Sequence, residues 1–125
     1  MQNVIKAALI AIVLSVFAPA AAQDINAGME AYERGDYAAA LREWRSVAED
    51  GDEIAQYNLG VLYANGQGVE QDNIEAFKWW RRSAQQGFVE ATFNLGHMYA
   101  HGVGVHQDHS QAVRWWRTAA NQGDI

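Results

Sequence analysis

DEIAQYNLGVLYANGQGVEQDNIEAFKWWRRSAQQG, residues 52–87, runs directly into FVEATFNLGHMYAHGVGVHQDHSQAVRWWRTAANQG, residues 88–123, and the two agree at 18 of 36 positions. The shared positions include Ala55/Ala91, Asn58/Asn94, Leu59/Leu95, Gly60/Gly96, Tyr63/Tyr99, Gly66/Gly102, Gly68/Gly104, Asp72/Asp108, Ala76/Ala112, Trp79/Trp115, Trp80/Trp116 and Gly87/Gly123. Agreement of that density at one offset marks an internal repeat, and a repeat fixes the architecture before any single motif does. Working outward, a shorter copy runs from Asp24 to Gly51, where Ala40, Trp44, Ala48 and Gly51 stand 36 residues before Ala76, Trp80, Ala84 and Gly87. Its connecting loop is contracted.

Each copy reads as two helices. Ala55, Leu59, Leu62 and Tyr63 recur at helical spacing, and so do Ala76, Trp80 and Ala84 beyond a glycine-rich turn. Asp72 and Asp108 stand where an N-cap carboxylate accepts from orphan backbone N–H groups and meets the positive end of the helix dipole. Gly87 and Gly123 suit the closing turn, since glycine adopts the left-handed conformation without a Cβ clash. Gly60 and Gly96 fall inside the first helices, where glycine costs about 1 kcal/mol relative to alanine, so close helix-to-helix approach is the expected compensation. Adjacent helical residues diverge by about 100 degrees, so the two members of each Trp pair point apart. Trp80 and Trp116 align with Trp44 and are assigned to packing; the spacing leaves Trp79 and Trp115 unassigned.

These strings resemble the Sel1-like repeat, a relative of the tetratricopeptide repeat. Asn58-Leu59-Gly60 with Tyr63, Gly66-Gln67-Gly68-Val69 with Asp72, Ala76 with Trp79 and Trp80, then Ala84 and Gly87 follow that family's order, and residues 88–123 repeat it. The resemblance implies an all-α fold, a short right-handed α-solenoid of stacked helix pairs. It divides the chain into a shortened capping repeat at 23–51, repeats at 52–87 and 88–123, and a C-terminal end at 124–125. Gly35-Asp36-Tyr37 departs from the pattern and looks like a tetratricopeptide turn. Some exported cysteine-rich relatives have been linked to β-lactam binding; this chain has no cysteine, so that activity does not carry over.

The segment before the repeats reads as a secretory signal. Met1 to Lys6 carries one positive charge, Ala7 to Ala18 is apolar, and Pro19 precedes Ala20, Ala21 and Ala22. The run falls short of the roughly 20 residues that span a bilayer, and the small residues suit cleavage after Ala22. Residues 1–22 are therefore expected to be removed on export to the periplasm or beyond, and the membrane concerns this protein only through that signal. Cleavage leaves 103 of the 125 residues, enough for one domain. A net charge of −6, or −7 without Lys6, disfavours nucleic acid as a partner. Nine acidic residues between Asp24 and Glu53 face only Arg34, Arg42 and Arg45, so the excess lies in the N-terminal third.

No pattern of residues supports catalysis. Ser46, Ser83 and Ser110 have no base at a suggestive spacing, Asp72 and Asp108 are explained as caps, and no strand precedes Gly66-Gln67-Gly68 as a phosphate loop requires. His97, His101, His106 and His109 all lie in the last copy, the first two one helical turn apart, which is zinc-ligand spacing. Their counterparts are Val61, Asn65, Glu70 and Asn73, so they read as variable surface positions. No metal or other cofactor is expected; the alternative is a metal-dependent or hydrolytic envelope enzyme centred on these histidines.

By tetratricopeptide geometry, the concave side of such a solenoid is lined by the first helices. The partner-binding residues expected there are Ile54, Tyr57, Asn58, Val61 and Asn65, beside Glu90, Phe93, Asn94, His97 and His101. Asn58 and Asn94 occupy a position that holds a partner's carboxylate in some tetratricopeptide domains. Ile54 and Glu90 stand where a carboxylate clamp has lysines, so a structural hydrogen bond between helices is the expected role of these amides. The resulting expectation is a non-enzymatic adaptor, scaffold or regulator of the cell envelope with a protein partner. Gly123-Asp124-Ile125 echoes Gly51-Asp52 with Ile54. The face built by Ala112, Trp116 and Ala120 is accordingly expected to be open and to support self-association.

Overall fold

The computed structural model describes residues 9–11 and 20–123, and the surroundings of the side chains of 9–11 and 25–122. The expected signal residues 1–8 and 12–19, and residues 124–125, lie outside the described residues. Six helices and no strand are found among the described residues: α1 (Ala20–Glu33), α2 (Tyr37–Glu49), α3 (Glu53–Asn65), α4 (Asn73–Gln85), α5 (Val89–His101) and α6 (His109–Gly123). The main packing joins each helix to the next in the sequence, the arrangement of a helical repeat solenoid, in which each pair stabilises only its neighbours.

One device recurs in all three pairs. The Trp44 Nε1–H donates to the Ile25 carbonyl at 3.0 Å, Trp80 to Tyr57 at 2.9 Å and Trp116 to Phe93 at 3.2 Å. Each acceptor lies three residues before a helical glycine, namely Gly28, Gly60 or Gly96. A Cβ on any of these glycines would collide with the indole of the same tryptophan. The glycines therefore admit an indole edge onto the helix surface, whereas the sequence suggested close approach of two helices. Gly28 shares this role; the contracted first loop hides it from a fixed 36-residue offset.

The turns follow from their capping chemistry. Asp72 Oδ1 accepts from Ile74 N at 3.0 Å and Glu75 N at 3.1 Å, and Asp108 Oδ1 accepts from Ser110 N and Gln111 N, each at 3.1 Å. Asp52 caps α3 in the same way, accepting from Ile54 N and Ala55 N at 2.9 Å. The equivalent residue before α5 is Phe88, which makes no side-chain cap. Gly66 and Gly102 close α3 and α5 in the left-handed conformation, each with φ of 66°. The loops then fold back: Asp72 N donates to Tyr63 O and Asp108 N to Tyr99 O, both at 2.9 Å. Gln71 Nε2 and Gln107 Nε2 satisfy the carbonyls of Ala64 and Ala100 at 2.8 and 2.9 Å. A Cβ on Gly68 would strike the main chain of Tyr37, and one on Gly104 that of Asn73. Each long loop thus rests on the first residue of the preceding pair's second helix.

Trp44 and Trp80 are fully buried, and Trp79 is buried too, with the Arg82 guanidinium 4.6 Å above its ring. Trp115 packs half-buried against the core. Trp116 departs from its expected core role: it keeps the indole hydrogen bond but is 37% exposed. No described helix stacks beyond α6, so the faces that a further pair covers at Trp44 and Trp80 stay open at Trp116 and Ala120, while Ala112 and Ala119 are buried.

Candidate functional site

The first helices α3 and α5 carry the ten residues expected to bind a partner, and the structure sorts them by exposure. Tyr57, Asn58, Val61 and Asn94 are buried, Ile54 and His97 are half-buried, and Asn65, Glu90, Phe93 and His101 are exposed. Phe93 is 55% exposed, with its ring 6.4 Å from that of Trp116. The chemistry is an apolar and amide floor edged by an acid, an aromatic ring and two imidazoles.

Asn58 makes no interhelical hydrogen bond among the described residues, contrary to the structural role expected for it. Its Oδ1 accepts from Ala11 N at 2.9 Å, and its Nδ2 donates to Ala11 O at 3.4 Å. Ile10 and Ala11 pack against the core, whereas Leu9 is 74% exposed. The reading of residues 7–18 as an export signal gave no cue to this contact, because an apolar run alone carries no information about which surface it meets.

Tyr57 joins the two copies. Its ring lies 6.1 Å from Trp80 and 5.2 Å from Phe88. Burial pushes the phenol up to about 12; the Leu9 main chain and the Asn94 amide favour the phenolate, while Glu90 opposes it. Asn94 is buried in α5. Its Nδ2 is buried and makes no hydrogen bond of good geometry among the described residues, and the same holds for His97 Nδ1.

The His97 and His101 rings approach to 4.3 Å. Burial first, and the charge of His101 second, lower the His97 pKa below the usual 6.5. No three His, Cys, Asp or Glu side chains converge as a metal site among the described residues, and His106 and His109 are exposed on the loop and at the start of α6. No described helix is long and apolar enough to cross a membrane.

The Sel1 repeat family model matches residues 54–88 and 89–124. The chain belongs to the Sel1 repeat family. This Sel1 repeat protein is 30% identical to a Sel1 repeat protein from Oxalobacter formigenes, whose structure matches over 82% of both chains with a TM-score of 0.79. The protective antigen c5321 of uropathogenic Escherichia coli is 35% identical, with a TM-score of 0.78, over 82% of this chain and 23% of that one. The cysteine-rich protein B of Helicobacter pylori, at 19% identity and a TM-score of 0.67, shares the fold alone. Among curated proteins, the exopolysaccharide production negative regulator of Rhizobium leguminosarum bv. viciae is 34% identical over 82 residues. That match takes in 54% of this chain but only 31% of the regulator's length.

Proposed function

We propose that this Sel1 repeat protein is a non-enzymatic interaction module of the cell envelope that binds a protein partner along the α3–α5 face and acts through that partner as a regulator or scaffold. Sel1 repeats generally mediate protein–protein interaction, and one relative is a regulator. The observation that carries the reading is the α3–α5 face itself. Its edge residues Glu90, Phe93 and His101 are exposed and differ from their counterparts Ile54, Tyr57 and Asn65, while the packing positions beneath are shared. Repeat solenoids bind through such extended surfaces.

Export follows the leader-like order of residues 1–22. A cut after Ala22 removes part of the first turn of α1 and leaves Ile25, the Trp44 acceptor, in place. Self-association is the second part of the proposal, supported by the exposure of Val113 at 46% and Trp116 at 37%, one helical turn apart on α6.

The test is affinity capture from an envelope fraction with Glu90→Lys and Phe93→Ala combined. Both residues are exposed, so the variant keeps its fold; Tyr57, 3% exposed, is unsuitable because its truncation opens a core cavity. Loss of the captured partner with unchanged circular dichroism is the expected result. Undiminished capture overturns the placement. The histidine alternative is tested on untagged protein by elemental analysis: stoichiometric zinc, lost in His97→Ala/His101→Ala, would replace the adaptor reading with a metal-dependent one.

A further inference from the structure

Charge in this protein is divided by helix. α4 and α6 carry Lys78, Arg81, Arg82, Arg114 and Arg117 against one acid, Glu75, which lies 3.5 Å from Lys78. α1 carries Asp24, Glu30 and Glu33 and no basic residue, with Arg34 just beyond its end. Lys78–Glu75 is the single ion pair among the described residues. The chain has a net charge of −6, yet Arg114 and Arg117 stand exposed and unpaired among the described residues, as do Glu30 and Glu33. A molecule so divided is complementary to a second copy of itself.

The apolar side chains follow the same division. On α6, Val113, Arg114, Trp116 and Arg117 are exposed. At about 100 degrees per residue they form one continuous face, two apolar side chains flanked by two guanidinium groups. On α1, Asn26, Glu30 and Glu33 are exposed and Met29 is half-buried, and the same rotation gathers Met29 beside the two carboxylates. The planar guanidinium fork fits a carboxylate, so the two faces match in chemistry as well as in sign. Within the chain, each junction between pairs sets a second helix on the next first helix, α2 on α3 and α4 on α5. α6 set on α1 of another molecule continues that order. Two α6 faces set on each other would instead bring four arginines together, which disfavours a symmetric contact there.

Resting on the self-association reading above, we infer that the occupant of the α6 face is α1 of a second copy, with Arg114 and Arg117 against Glu30 and Glu33, and Val113 and Trp116 against Met29. The contact is heterologous, since each copy gives a different surface to it and keeps the other free. Copies therefore add in a row or close into a ring.

Sedimentation velocity of the full chain over a concentration series reads the association. The dissociation constant is expected to rise about 10-fold when NaCl is raised from about 50 to about 500 mM, because salt screens the facing charges. Glu30→Lys/Glu33→Lys sets basic against basic, and Arg114→Glu/Arg117→Glu sets acidic against acidic; each weakens association about 10-fold. All four changes in one chain restore opposite charges in reversed order at the original net charge of −6, and association returns to within about 3-fold of the unaltered chain. All four side chains are exposed, and unchanged circular dichroism checks the fold. Equal association by the unaltered and Glu30→Lys/Glu33→Lys chains shows that α1 is not the occupant and overturns the pairing, with self-association itself intact. A folded fourfold variant that stays dissociated overturns it likewise, and salt-independent association does so without any substitution. An unaltered chain that is monomeric at every concentration overturns the self-association reading as a whole.

Discussion

Gly60 and Gly96 occupy the same place in the repeat, yet alanine at the two is expected to have unequal effects. Each new methyl meets an indole, and overpacking of that kind costs about 1–3 kcal/mol, offset by roughly 1 kcal/mol of better helix propensity. Trp80 is fully enclosed, while Trp116 is partly exposed and free on one side to shift. Gly60→Ala therefore lowers the urea midpoint more than Gly96→Ala does, and equal losses would show that Trp116 is held as firmly as Trp80. His97 supplies a second test at this scale. Its folded pKa lies below the usual 6.5, so the unfolded chain binds the extra proton first. The contribution is complete above pH 6.5 and is lost as pH falls through the folded value. The thermal midpoint of the chain falls on acidification from pH 7.5 to 5, and His97→Gln flattens that part of the profile.

The helices themselves were legible where spacing and capping agreed. Asp72 and Asp108 were recognisable as caps because a carboxylate stood one residue before an apolar period, and the structure shows both accepting from the first-turn amides. Asp72→Ala should cost about 1 kcal/mol, measured as a shift in the denaturation midpoint at unchanged slope. Gln71 and Gln107 were invisible as functional parts of the loops, since a glutamine reaching back seven residues to a carbonyl leaves no periodic trace. The start of α5 carries no capping signal at all. Phe88 stands where Asp52 stands one copy earlier, and it packs on Tyr57 instead, so packing across copies replaces a cap there. On the α3–α5 face, the buried state of Val61 was equally illegible, because variation between copies does not distinguish an exposed position from one covered by a neighbouring element.

Across the whole molecule, stacking in sequence order makes stability local. Trp44 and Trp80 are fully buried, whereas α6 packs chiefly on α5 among the described helices. Amide exchange is expected to be slowest in α3 and α4 and fastest in α6, and uniform protection throughout would point to a single cooperative unit. The repeat order and the pairing of its helices could be read from the 36-residue offset; the docking of residues 9–11 could not, since it brings together positions 47 residues apart that share no pattern. The loop glycines have a wider consequence. Gly68 sits on Tyr37 and Gly104 on Asn73, and Gln67 bonds Tyr32, so each joint is keyed to the helix pair just before it. A joint that consults only its immediate predecessor sets no final count of units. Duplicating residues 52–87 between Gly87 and Phe88 presents Asn73 to every loop that needs it, so the chain can grow by a helix pair in one genetic step, adding one more asparagine to the row formed by Asn58 and Asn94.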